Sequence, residues 1–157
     1  MDTNKVKYDR MMYVKDSVPS LFAICAIVLN VFYFVTIYQI NKEYFYNFNI
    51  GLSVIMNLLF MLFTFLCSEE VKNYHSKYGF VMIGLAVLEI VRIFFFPMQA
   101  HASMIAEGEF MVRVMSDAQF MRCIICLGGA AAFLTVGGVM SIINTKKLSD
   151  YKKSLVK

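Results

Sequence analysis

Two histidines, two prolines and four cysteines are all that 157 residues contain of each, and these shortages remove whole classes of chemistry. With only His75 and His101, a multi-histidine metal centre is out of reach, and His101 with its neighbouring acids makes a poor metal site. The phosphate-cradling G-x-x-x-x-G-K-S/T, the nucleophile elbow G-x-S-x-G and the zinc helix H-E-x-x-H are all missing. No internal repeat and no low-complexity tract interrupts the chain. The expectation is a non-enzyme without cofactor or metal.

Charge is also scarce where it matters most. The chain is 59% apolar, against about 45–50% for soluble proteins, and the excess gathers into four runs, 19–40, 48–67, 78–98 and 119–143. Each holds about 20 residues or more, and at 1.5 Å rise per residue that reaches roughly 30 Å, the thickness of a bilayer's hydrocarbon core. The runs are apolar all round apart from single polar positions, whereas a soluble bundle would give every helix a charged outer face. A helix satisfies its own backbone groups in lipid. The predicted fold is therefore all-α, an integral membrane four-helix bundle in one domain. The short stretches at 41–47 and 68–77 force antiparallel neighbours and an up-down-up-down order. Pro19 suits a first helical turn, and Pro97 is expected to end or bend the third helix.

The basic residues set the expected orientation. Lys5, Lys7, Arg10 and Lys15 precede the first run, Lys72 and Lys77 separate the second and third, and Lys146, Lys147, Lys152, Lys153 and Lys157 follow the fourth. The opposite side holds only Lys42, Arg113 and Arg122, so both termini are expected in the cytoplasm, with the chain in the cell membrane. The net charge of +4 is met by this juxtamembrane excess, which can rest on anionic lipid, and calls for no nucleic acid. The first run is too long for a signal-peptide core and no small-residue cleavage pattern follows it, so it is expected to stay in the mature protein. Glu69, Glu70, Lys72 and His75 read as a solvated turn between two spans.

The stretch from Gln99 to Ala118 is longer. Phe110, Met111, Val114 and Met115 are spaced as one face of a helix, which predicts either that the fourth helix starts as early as Glu109 or that the stretch lies flat in the interface.

Within the runs, Glu89 and Arg92 stand near the middle of the third, where a lone ion costs about 2.5–3.5 kcal/mol to insert. At i, i+3 they face the same way and can neutralise each other. Asn30 and Asn57 fall at the same depth of the first and second runs, on stripes with Ala23, Ala26 and Tyr33 and with Ser53 and Thr64. A midplane polar cluster of Asn30, Asn57, Glu89 and Arg92 follows, either as interhelical glue or as a path for a solute or proton.

The fourth run is rich in small residues. Gly128 and Ala132, and Gly137 and Ser141, stand four apart, with Gly129 and Gly138 beside them, the spacing that lets membrane helices approach closely. They are expected to pack against this chain, a second copy of it or a larger membrane protein.

Cys123 and Cys126 form a C-x-x-C at the start of that run, beside Arg122, whose charge favours a thiolate at an exposed site. In this motif the chain superficially resembles the vitamin K epoxide reductase family, a resemblance that implies membrane thiol-disulfide chemistry. The likeness stops at the motif, because that family's second cysteine pair lies in a long loop after the first helix and the stretch 41–47 contains none. Buried thiols also serve simply as small apolar packing residues.

Three functional readings follow. The first is a non-catalytic accessory or structural subunit of a larger membrane complex such as a transporter. The second is a small oligomeric transporter or channel using the midplane cluster. The third, and the weakest, is a thiol-disulfide redox protein.

Overall fold

The computed structural model describes residues 3–40, 48–107 and 110–155; Lys42, Glu109 and Lys157, to which the sequence drew attention, lie outside them. The fold is all-α apart from one small hairpin. A short helix α1 (Thr3–Tyr13) leads into four long ones, α2 (Ser17–Tyr38), α3 (Phe48–Val71), α4 (Ser76–Ala102) and α5 (Asp117–Leu155). All four are long and apolar enough to cross a membrane, the signature of a membrane protein.

Each long helix buries one stripe and exposes the rest. On α2 the buried positions include Ala23, Ala26, Asn30, Tyr33 and Ile37, a three-or-four spacing that repeats on α3 at Ser53, Asn57, Phe60, Thr64 and Cys67. Along the apolar runs the exposed positions are mostly Leu, Val, Ile and Phe rather than charges, the reverse of a water-soluble bundle. Helices α2 and α4 both pack on α5, α2 also on α3, and the α3–α4 contact is the slightest of the four.

Two tie points define the ends. At one, Asp16 caps α2 by accepting from the backbone N–H of Val18 (3.3 Å). Its other oxygen accepts from Asn144 of α5 (2.6 Å), and its own N–H donates to the carbonyl of Lys72 after α3 (3.0 Å). At the other end, Gln119 of α5 donates to the carbonyl of Gln39 after α2 (2.9 Å). The first end therefore collects Lys15, Lys72, Lys146 and Lys147, with α1 held against α5 by a Tyr8–Tyr151 ring contact at 5.4 Å. In the turn beneath it, Tyr74 sits at φ 59°, a left-handed conformation costly for a bulky residue, and its hydroxyl donates to the carbonyl of Val14 (3.2 Å).

Helices α4 and α5 come closest where glycine faces glycine. A β-carbon on Gly138 would lie 2.7 Å from the Gly79 carbonyl oxygen, and one on Gly79 would lie 3.0 Å from that of Gly138. Gly137 is pressed in the same way against Phe22 and Met82. The expected close-packing role is thus spent inside the chain by Gly137 and Gly138, with Ser141 buried beside them. Gly129 meets only the end of the Leu29 side chain. Gly128 and Ala132 turn outward, and a β-carbon on Gly128 would meet nothing within 4 Å.

Two expectations need correction, and one helix runs further than its apolar run. The stretch after α4 is neither an early start of α5 nor a flat helix but an antiparallel hairpin, β1 (Met104–Glu107) with β2 (Phe110–Arg113), in the register Met104↔Arg113 to Glu107↔Phe110. That register leaves two residues, one of them a glycine, between the strands, a length that favours hairpins. Val114 and Met115 follow the hairpin and are buried, so the apparent helical face was two short elements read as one. Pro97 does not end α4, which runs on to Ala102; proline is tolerated in apolar helices where neighbours pack around it, and Pro97 is buried. Finally, α5 continues about three turns past Ile143, to Leu155, because no glycine or proline stops it.

Candidate functional site

Two apolar clusters fill the interior. One is built on Ala23, Phe60, Met82 and Leu134; the other on Tyr33, Phe96, Met115 and Leu127. Between them in sequence on α2, α3 and α4 stand the four residues that the sequence brought to one depth, and the structure joins them.

Arg92 is the hub. Its Nη1 donates to Glu89 Oε2 (2.7 Å) and to Asn30 Oδ1 (3.1 Å), and its Nη2 donates to Asn57 Oδ1 (2.7 Å). Asn30 Nδ2 donates to Glu89 Oε1 (2.8 Å) and back to the carbonyl of Ala26 (3.1 Å). Asn57 Nδ2 reaches the Asn30 carbonyl (3.3 Å). Three helices are thereby joined through one guanidinium, and both carboxylate oxygens of Glu89 are occupied. Glu89 and Asn57 are 0% exposed, Asn30 1% and Arg92 7%.

The guanidinium is also sandwiched. Its carbon lies 4.6 Å from the centre of the Phe60 ring and 5.0 Å from that of Tyr33, distances at which a cation is attracted to the ring face. The Tyr33 hydroxyl in turn meets Ser53 Oγ at 3.1 Å. The sequence placed Tyr33 and Ser53 on the inward stripes without giving them this role, and it missed Phe60 altogether. Phe60 stands three residues after Asn57 on the same face, so the signal was there to find.

Beside the network, a cavity of about 210 Å³ opens between α3 and α4, with Tyr33, Ser53, Phe60 and Arg92 at its back and Leu52, Leu88 and Phe95 at its mouth. The mouth residues are apolar, and the three of them lie on the outer surface or its edge. A second polar clasp joins α2 to α3, where Ser20 Oγ and Ser68 Oγ are 2.8 Å apart. Thr64, expected in a hydrogen-bonded seam, has a buried hydroxyl without a partner, as has Ser141.

The other sequence candidates stand apart from this centre. Cys123 is fully buried in the second apolar cluster and Cys126 packs half-buried at its edge, both as free thiols; Arg122 is exposed. His101 Nε2 lies 2.8 Å from Asp117 Oδ1, which also accepts from Arg113 Nη1 (2.8 Å), and the His101 ring stacks on Phe120 at 4.4 Å. The histidine hydrogen bond, and then the Arg113 charge, hold the Asp117 carboxyl below its ordinary range. This cluster fastens the hairpin to the ends of α4 and α5. Among the described residues no group of three or more His, Cys, Asp or Glu is placed to hold a metal ion.

Comparison with protein-family models, with curated proteins and with solved structures returns no match for this chain.

Proposed function

We propose that the chain is an integral membrane protein of the cell membrane, a four-helix bundle crossing the bilayer up-down-up-down with both termini in the cytoplasm. In this reading it works as a non-catalytic accessory or structural subunit of a larger membrane complex such as a transporter. The basic end supports the orientation, since Lys15, Lys72, Lys146 and Lys147 gather there, while Arg113 precedes the fourth apolar run and Arg122 stands near its start at the other end.

The observation that carries the accessory role is the outward ridge of Gly128 and Ala132. Lipid gains little from a glycine that leaves its surroundings empty, and glycine in a helix interior costs about 0.5–1 kcal/mol relative to alanine. A ridge of small residues flanked by exposed Ile125 and Val136 suits the close approach of another membrane helix. The network around Arg92 supports the same reading, because Glu89, Asn30 and Asn57 are engaged with Arg92 and with one another.

The test is purification from the native membrane in mild detergent, followed by mass spectrometry. A stoichiometric larger membrane protein should accompany the chain and be lost from Gly128→Leu, which has room for its side chain within this chain. A wild-type chain that purifies alone or only with copies of itself refutes the accessory reading.

The second reading, a small oligomeric transporter, draws support from the cavity behind Leu52 and Phe95, which reaches Arg92 and Tyr33. Reconstituted flux lost in Glu89→Gln would favour it. Flux that survives while the bundle is destabilised would end it.

A further inference from the structure

At the end of the molecule where the termini meet, an open groove of about 950 Å³ runs between α1, the α3–α4 turn and the extension of α5. Among the described residues its lining holds four lysines, Lys15, Lys72, Lys152 and Lys153, and no aspartate or glutamate. Lys72 shares its charge with Glu69 (2.5 Å). The other three form no ion pair among the described residues, although acids are close by in sequence. Three of those acids are committed elsewhere: Asp9 accepts from the Tyr151 hydroxyl, Asp16 caps α2, and Glu70 meets His75. Asp150 is exposed and does not line the groove, so the lining is basic on balance, with one of its four lysines paired to Glu69.

One further feature gives the groove a chemistry. Met11, Met12 and Leu148 supply an apolar wall. Cations and an apolar wall together suit a phosphate ester carried on an apolar body. The position agrees, because the groove begins where the apolar runs of α3 and α5 give way to polar residues, the level of lipid headgroups.

We propose that this groove binds the phosphate of an anionic phospholipid headgroup as a discrete site. Lys152 and Lys153 on α5 and Lys15 before α2 grip the phosphate. The ester's glycerol and first methylenes lie along Met12 and Leu148.

A discrete site and a diffuse attraction of basic residues to lipid make different predictions, and α5 contains the control. Lys146 and Lys147 carry the same charge on the same helix, are exposed, and do not line the groove. The full-length protein in dodecyl maltoside micelles is titrated with dioleoylphosphatidylglycerol or dioleoylphosphatidylcholine and bound lipid is counted by native mass spectrometry. One phosphatidylglycerol should be retained per chain, with phosphatidylcholine lost. Each lysine near a membrane surface contributes about a fivefold change in affinity, so the double variant K152Q and K153Q should weaken retention about 25-fold. The double variant K146Q and K147Q should change it less than about threefold. Equal weakening by both pairs, or equal retention of phosphatidylcholine, overturns the proposal. A parallel arm adds sn-glycerol 3-phosphate in the micelles: displacement of phosphatidylglycerol at submillimolar concentration would assign the site to a soluble phosphate ester, and no displacement keeps it with the lipid.

Discussion

Removing both charges from the buried network should cost less than the sum of removing each alone. Glu89 is 0% exposed and both its oxygens accept, Oε1 from Asn30 Nδ2 and Oε2 from Arg92 Nη1. In Glu89→Gln the new amide must aim its NH₂ at one of these two donors, so a hydrogen bond becomes a donor–donor contact. At the same time Arg92 loses its counterion at 7% exposure. Breaking a buried pair from one side costs about 3–5 kcal/mol, a shift of roughly two to four decades in the unfolding equilibrium. Lost hydrogen bonds alone do not reach that figure, since interhelical ones in lipid average about 0.6 kcal/mol. Arg92→Leu should fall in the same range, for it leaves the carboxylate buried with Asn30 as its remaining donor. The double variant Glu89→Gln with Arg92→Leu removes both ions. The amides keep their backbone partners, Ala26 for Asn30 and the Asn30 carbonyl for Asn57, and only two amide oxygens are orphaned. Its loss should therefore be smaller than the sum of the singles by about 3 kcal/mol. Steric trapping in bicelles measures all three variants. Losses that add to within about 0.5 kcal/mol would refute the argument that the two charges hold each other in place.

Other outcomes follow from particular contacts. Gly138→Ala forces a methyl against the Gly79 carbonyl oxygen at 2.7 Å and should destabilise the same unfolding reaction by about 1–3 kcal/mol, whereas Gly128→Ala, with open space, should be neutral or slightly stabilising. In folded protein in micelles, Cys123 should resist maleimide until denaturant is added, because it is wholly buried; rapid labelling with loss of a redox activity would instead revive the thiol-disulfide reading. The Asp117 carboxyl is held below its ordinary range first by His101 and then by Arg113, so its contribution to the hairpin cap is present above the ordinary aspartate range and fades as pH falls through its lowered value. Hydrogen exchange across 104–113 should accelerate in that acid window in the wild type, and in Asp117→Asn should be fast already at neutral pH.

The parts of this architecture that were legible in the sequence are those that a bilayer dictates. An apolar run of about 20 residues has little choice but to be a helix, and the four long helices cover the four runs. The network was legible for a related reason: ions inside lipid must find partners, and Asn30 and Asn57 were the polar side chains at the depth of Glu89 and Arg92. What escaped was governed by weaker forces. The residues 104–113 carry a helical spacing and a two-strand alternation at once, and the choice rested on two connecting residues. The extension of α5 past Ile143 is polar and invisible to hydropathy, and it takes its meaning from α1 packing back upon it. Thr64 shows the limit of stripes, since it lies on the buried face but its hydroxyl finds no partner. Phe60 was hidden by abundance, being one of 15 phenylalanines with nothing in its own identity to mark it as the one beneath a guanidinium.

The i, i+3 placement of Glu89 and Arg92 also bears on how the chain is made. Because the two charges sit on a single helix, that helix leaves the ribosome with its counterion already in reach and can be handed to lipid as a nearly neutral segment. The amides that complete the network stand on α2 and α3, which precede α4 in the chain, so in the membrane reading proposed above the helix with the guanidinium follows those that hold its partners. Had the acid and the base been divided between distant helices, one of them would have waited in the bilayer unpaired, exposed to the quality-control proteases that recognise such segments.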